Sequence, residues 1–285
     1  MVSTPATSHC THSQPPISDC AAAIRVRDLT IAYRAQSPVL QNVSLSVAAG
    51  EIVALVGASG CGKSTLLRAI AGLLQPQQGQ VRFEPELPQR SGALAYVFQS
   101  ATLLPWRTVD ENIGLPLELG RGGNLRPAWL ARDAQTDQSS LLNCREQIAA
   151  ARRAVGLADD SAGKFPRQLS GGMQMRTSIA RGLVTDPSVL LLDEPFAALD
   201  EILRTKLNEL VLELWHSRPR TIVFVTHNVA EAIYLSHRVV VMGMGRIEQT
   251  IATELPWPRQ AAARSSLEFA KLYGRISAAL AEASS

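Results

Sequence analysis

Apolar and polar positions come close to alternating over Ile24–Tyr33 and again over Val39–Val47, which predicts two antiparallel strands. The pattern changes at Ile52-Val53-Ala54-Leu55-Val56, a continuous apolar run of the kind buried on both faces of a parallel sheet. A glycine-rich loop follows, then a helical pattern from Lys63 to about Leu74, ended by Gln75-Pro76-Gln77-Gln78-Gly79. Strand character returns at Val81–Phe83 and Ala93–Phe98. From about Thr108 to Leu183 the chain reads as mostly helical, with clear periodicity over Arg145–Val155 and Met173–Leu183. Strands resume at Val189–Leu192, Thr221–Val225 and Arg238–Met242, with helices at about Glu201–Trp215 and Val229–Leu235 between them. Strands alternating with helices on either side of an all-helical block imply one α/β core with a helical subdomain inserted. There is no internal repeat, hence one copy of this unit.

Composition narrows this picture. With 46% hydrophobic and 19% charged residues in 285, the chain can bury a sizeable core. A net charge of +3 is too small to argue for a nucleic-acid partner. No apolar stretch approaches the length of a membrane-spanning helix, and the start lacks the basic-then-apolar pattern of a secretory signal. Four irregularly spaced cysteines make no disulfide framework and fit a reducing, cytosolic setting. Residues 1–22, rich in Ser, Thr, Pro and His, read as a disordered tail. The cluster His9-Cys10-Thr11-His12 lacks a second ligand pair and reads as part of that tail. Gly120–Gln138, rich in Gly, Arg, Asp and Gln, reads as a mobile insertion. The expected organisation is a tail over 1–22, one domain over 23–250 with its helical subdomain at about 100–184, and a helical extension over 251–285.

The central motif is Gly57-Ala58-Ser59-Gly60-Cys61-Gly62-Lys63-Ser64-Thr65, which fits G-x-x-x-x-G-K-[ST] between a predicted buried strand and a helix. Glycines let the backbone curl so that several N–H groups point at one anion, adding to the positive end of the helix. Lys63 places a charge on the β/γ-phosphates of a nucleotide, and the Ser64 hydroxyl ligates Mg²⁺. Typical residue frequencies give the pattern a chance occurrence of about one per cent in a chain this long, and the strand-to-helix context lowers it further. Cys61 reads as a tolerated small residue inside the loop.

Val189-Leu190-Leu191-Leu192-Asp193-Glu194 reads as a buried strand ending in two carboxylates, which at the C-terminal edge of a parallel sheet face the ligand crevice. There Asp193 would hold Mg²⁺, usually through water, and Glu194 would polarise the attacking water as general base.

Leu169-Ser170-Gly171-Gly172-Met173, with Ser170 placed 23 residues before Asp193, resembles the signature of ABC transporter ATPases. The Ser170 hydroxyl and the N–H groups of Gly171 and Gly172 would form a second anion site at a helix start. The resemblance covers roughly Ile24 to Thr250. It implies a P-loop NTPase (RecA-like) parallel-sheet core, an N-terminal antiparallel β subdomain and an inserted α-helical subdomain. It also implies ATP sandwiched in a head-to-tail dimer, its γ-phosphate facing Ser170 of the other subunit. On the same resemblance, Tyr33 stacks on adenine, and Gln99 contacts Mg²⁺ and senses a transmembrane partner. Ala198-Leu199-Asp200 forms the loop across the dimer interface, and His227 hydrogen-bonds the γ-phosphate. His216 and His237 read as surface or structural residues.

Leu103-Leu104-Pro105-Trp106 resembles the groove where such ATPases receive a short helix of a membrane-embedded permease. Gly171–Arg176, Asp193–Asp200 and Val239–Met242 with Gly245-Arg246-Ile247 resemble the ATPase subunits of bacterial nitrate, sulfonate and taurine importers. Subunits serving thiamine-precursor pyrimidine uptake are closely similar. The implied setting is peripheral, at the cytoplasmic face of the bacterial inner membrane. The implied partners are permease subunits, a second ATPase subunit and, indirectly, a solute-binding protein. Three features depart from the pattern: the 71 residues from Gln99 to Ser170, a short Met242–Arg246 turn, and a tail after Thr250 too short for a regulatory domain. That tail carries Leu267, Phe269, Leu272, Ile276 and Leu280 at helical spacing and is expected to pack on the core. The competing readings are a soluble ABC ATPase of repair or translation and a cassette that senses nucleotide without turnover. The first usually shows paired cassettes or a long coiled coil, and the second is at odds with an intact set of Lys63, Asp193, Glu194 and His227.

Overall fold

A computed structural model of the chain describes residues 22–33, 37–84, 86, 92–120, 138–197 and 199–284. Residues 1–21 of the tail expected over 1–22, residues 121–137 of the insertion expected over 120–138, and Ala198 lie outside the described residues. At the margins, Ala22 belongs to the first strand instead of the tail, and Gln138 already opens a helix.

Two sheets organise the molecule. The smaller consists of β1 (Ala22–Ile31), β2 (Leu40–Ala48) and β4 (Gln78–Phe83), antiparallel, in the order β2-β1-β4. Leu45 and Val47 pair with Val26 and Ile24, and all four are buried, whereas the alternating Ser44 and Ser46 are exposed. The alternation in the sequence thus marks a sheet covered on one face.

The larger sheet contains β3 (Ile52–Gly57), β5 (Leu94–Val97), β6 (Val189–Asp193), β7 (Thr221–Val225), β8 (Arg238–Gly243) and β9 (Arg246–Ala252). Its order is β5-β6-β7-β3-β8-β9, parallel except for β9. Every residue of β6 and β7 is buried, which explains their unbroken apolar runs. Alternate residues of β3 enter two different cores. Ile52, Ala54 and Val56 pack with the helices behind the sheet, and Val53 and Leu55 pack with the smaller sheet and α1 (Lys63–Ile70).

Helix α1 ends four residues before the expected Leu74, and β4 starts three residues before the expected Val81. Gly79 accounts for the second difference: with φ 82°, any Cβ there would lie 2.3 Å from Arg27 O, so only glycine lets β4 begin pairing with β1 this early.

Between β5 and β6 lie α2 (Val109–Leu119), α3 (Gln138–Ala154) and α4 (Gly171–Leu183). A capping box fixes the start of α2: Glu111 N–H donates to Thr108 Oγ1 and Thr108 N–H donates to Glu111 Oε2. The buried Arg152 of α3 joins the block through Asp110 at 2.5 Å and Asp159 at 2.6 Å. Beyond β6 come α5 (Glu201–Ser217), α6 (Val229–Leu235) and α7 (Leu267–Ala283). No helix among the described residues is long and apolar enough to cross a membrane.

The short turn at Met242–Arg246 closes a hairpin whose register shifts by one residue between Val241 and Met242. Met244 and Gly245 both take positive φ, 44° and 79°, the geometry of a two-residue connection that matches strand twist. β9 continues to Ala252, two residues past the expected domain edge at 250, with Ile251 buried opposite Val239. In α7, Phe269 and Ile276 are buried and Leu272 and Leu280 pack against the core, but Leu267 stays 64% exposed. His216 is exposed, whereas His237 is half-buried and structural: its Nδ1 accepts the Ile52 N–H at 3.0 Å and its ring stacks on Trp257 at 4.4 Å. Arg259 lies over the same indole and donates to Ser236 O and Thr253 O. Burial, with Arg259 adding to it, pushes the His237 pKa down to about 4.

Candidate functional site

The C-terminal ends of β3, β5, β6 and β7 bring most of the expected residues together, at the edge where open α/β sheets bind ligands. At Gly57 a Cβ would fall 2.3 Å from Met242 O, and at Gly62, with φ 102°, 2.5 Å from Leu40 Cδ2. Both ends of the loop therefore require glycine, and the loop wraps a cradle directly over the start of α1. Lys63 is buried, and its Nζ donates to Gly57 O at 2.9 Å and Ala58 O at 2.8 Å, with Cys61 Sγ at 3.8 Å. Ala58, Ser59 and Gly60 form the exposed outer rim of the loop, and Thr65 is buried one residue past Ser64.

Asp193 is 3% exposed and both of its oxygens are engaged. Ser64 Oγ donates to Oδ1 at 2.6 Å, and Tyr96 Oη donates to Oδ2 at 2.7 Å. Burial and the neighbouring Asp193 carboxylate push the Tyr96 phenol well above its ordinary range, so it remains a protonated donor. A hydroxyl and a carboxylate in contact are hard oxygen ligands, a donor pair that fits Mg²⁺.

Glu194 sits at φ 45°, a left-handed conformation that costs a non-glycine residue on the order of 1–3 kcal/mol and is characteristic of functional sites. Gln99 Nε2 donates to Glu194 Oε2 at 3.3 Å, and His227 Nδ1 stands 3.5 Å from the same oxygen. The His227 turn is braced from below. Thr226 Oγ1 donates to the buried Glu231 Oε2, Asn228 N–H donates to Thr226 Oγ1, and Glu231 N–H donates to Asn228 Oδ1. Burial pushes the Glu231 carboxyl above its usual range. The segment leaving Gln99 is held by Arg181 of α4, which donates to Ala101 O, Thr102 O and Thr102 Oγ1, each at 3.0 Å.

The remaining expected residues stand apart. Ser170 is exposed at the start of α4, where its Oγ accepts the Met173 N–H at 3.3 Å. Gly171 has open space around it, and a Cβ at Gly172 would meet Leu203 Cδ2 at 2.2 Å. Asp200 caps α5 by accepting the Leu203 N–H at 2.9 Å, and Tyr33 is 42% exposed just past β1. No hydrogen bond or ion pair described among these residues joins Ser170, Asp200 or Tyr33 to Lys63, Asp193 or Glu194. Sequence reasoning did not single out Tyr96, Glu231 or Arg181. The available signal for Tyr96 was its polar tip inside a strand beside the one that carries the acidic pair, since a buried Tyr hydroxyl needs a partner.

Residues 40–197 match a family model described as ABC transporter. The chain is 41% identical over 265 residues to an aliphatic sulfonates import ATP-binding protein SsuB of Rhodopseudomonas palustris, covering 93% of this chain and 84% of that relative. It is 38% identical over 236 residues to the protein of the same name from Bacillus cereus, covering 82% and 86%. A solved dimeric structure of the ATP-binding cassette MJ0796, in a post-hydrolysis state bound to ADP and Pi, superposes with a TM-score of 0.67 at 29% identity, covering 82% of this chain and all of that one.

Proposed function

The chain belongs to the ABC transporter family as an ATP-hydrolysing cassette, and from that premise we propose that it powers a bacterial importer for a small solute of the sulfonate, nitrate or taurine type. The observation that carries the catalytic part is the convergence of Gln99 and His227 on one oxygen of Glu194, next to the Ser64–Asp193 pair. The importer and its solute class rest on the identity to sulfonate-import relatives from two organisms.

In this reading, Gly57 to Thr65 wrap the ATP phosphates, with backbone N–H groups and the start of α1 turned toward the anion. The Lys63 ammonium exchanges Gly57 O and Ala58 O for β- and γ-phosphate oxygens. Ser64, Asp193 and Gln99 would hold Mg²⁺, which when bound neutralises phosphate charge. Glu194 accepts the proton of the attacking water at Oε2, the oxygen that Gln99 and His227 keep aimed. His227 also hydrogen-bonds the γ-phosphate, and Tyr33 stacks on adenine.

Ser170 and the N–H groups of Gly171 and Gly172 grip the γ-phosphate held by a second copy of the chain, and Asp200 lies across the same interface. Within one chain the hydroxyl of Ser170 and the carboxylate of Asp200 only cap their own helices, which leaves them available to a partner's nucleotide. Charge-assisted contacts from both sides close the dimer. Hydrolysis and phosphate release remove them, so the dimer reopens and the permease changes its facing side. The complex sits at the cytoplasmic face of the membrane, fed by a solute-binding protein.

The test is co-purification with the neighbouring integral-membrane subunit, followed by solute-dependent phosphate release in vesicles. Sulfonate-stimulated turnover is the expected result. ATPase activity that copurifies with no membrane protein would return the chain to the soluble class.

A further inference from the structure

The geometry points to Tyr96 as a positioning residue for the metal side of the nucleotide site: its hydroxyl pins one oxygen of Asp193 so that the other stays fixed at Ser64. The inference rests on the ATPase reading above and adds to it a residue outside the motifs.

The sheet register explains the contact. Tyr96 on β5 pairs directly with Leu191 on β6, and Asp193 is two residues further along β6, on the same face as Leu191. Tyr96 and Asp193 are therefore diagonal neighbours, a separation that a long aromatic side chain can span. Leu191 lies in the core beneath α1, Tyr96 packs against that core, and α1 carries Ser64, so both hydroxyls reach the carboxylate from this side of the sheet. Phe98, two residues beyond Tyr96, meets its ring at 4.5 Å between centroids and fixes its direction.

A carboxylate held at one oxygen only can rotate and present either oxygen to a cation. Asp193 is held at both. Arg68 is no substitute for Tyr96, since its Nη2 is 3.9 Å from Oδ2 and its side chain is 45% exposed. Tyr96 thus orients Asp193 without offering a ligand of its own toward the cation, and partners of this kind commonly change metal affinity by about tenfold or more.

Tyr96→Phe keeps the ring and removes only the hydroxyl. Nucleotide binding by the full-length chain is measured calorimetrically, with ADP as the probe, across a Mg²⁺ series and in EDTA. The expected result is an approximately tenfold rise in the Mg²⁺ concentration giving half-maximal enhancement of ADP binding, with affinity in EDTA unchanged. In an Asp193→Asn background the Tyr96→Phe change should have no further effect. A Mg²⁺ midpoint equal to that of the unaltered chain overturns the inference, and so does an equal loss of affinity with and without Mg²⁺, which marks structural damage. Absence of Mg²⁺-dependent binding in the unaltered chain would instead overturn the ATPase reading itself.

Discussion

Glu194 and His227 meet at a single atom: His227 Nδ1 lies 3.5 Å from Glu194 Oε2, the oxygen that also accepts the Gln99 amide. Three chain segments thus point one carboxylate oxygen, which makes Glu194 the group whose loss should separate ATP binding from ATP cleavage. Glu194→Gln keeps the shape and loses the base. It is expected to bind ATP normally and to lower kcat by 10²-fold or more, within the usual 10²–10⁴ range of general-base contributions. Phosphate release measures the loss, and size-exclusion chromatography with ATP should show a persistent dimer.

Lys63 separates differently. Its ammonium is buried and already hydrogen-bonded to two carbonyls of its own loop, so it is positioned before any phosphate arrives. Lys63→Ala removes a charged hydrogen-bonding partner, worth about 2 kcal/mol. ATP binding, followed by titration of a fluorescent nucleotide, should weaken by about thirtyfold while the thermal midpoint changes little.

The brace beneath His227 predicts a coupled loss of stability and rate. Thr226→Val is nearly isosteric but leaves the buried Glu231 carboxyl without its donor and the Asn228 N–H without its acceptor. Unsatisfied buried groups cost about 1–3 kcal/mol, so the urea midpoint should fall. kcat should fall as well, because His227 is the residue next to the altered one. A variant as stable and as active as the parent would show that the brace carries neither burden.

His237 provides a pH signature away from the nucleotide site. Its folded-state pKa is depressed to about 4 from an ordinary 6.5, so between those values the unfolded chain takes a proton that the folded chain refuses. Stability is therefore fully present above about pH 6.5, declines as pH falls, and levels off for this group below about pH 4. The loss is at most roughly 3 kcal/mol. His237→Asn can still accept the Ile52 N–H and cannot titrate. Urea unfolding from pH 7 to 4.5 should show a shallower decline for that variant than for the parent.

Much of this architecture could be read directly from the residues, because the forces that set it are local or leave a period. β6 and β7 are unbroken apolar runs since both of their faces are covered, and their limits were readable to within a residue. The loop from Gly57 to Thr65 could be read because its chemistry demands particular residue types at fixed spacing. β4 and β9 were harder. β4 owes its first residues to Gly79 passing close to Arg27, and β9 carries only Ile247 and Ile251 on its inner face with Gln249 between them, so its apolar period is weak. Neither Tyr96 nor Glu231 stands in a motif that marks a site residue. Their partners are supplied by strand register and by a turn that buries a carboxylate, neither of which sequence spacing encodes.

Arg181 has a consequence of its own. Its guanidinium clasps the backbone just downstream of Gln99 from a helix whose first turn starts at Ser170. Separating that backbone from α4 requires breaking three hydrogen bonds at once. The exposed Trp106 lies a few residues beyond the clasp. On the reading proposed above, a push on that surface is expected to reach the Gln99 segment and the helix opened by Ser170 together.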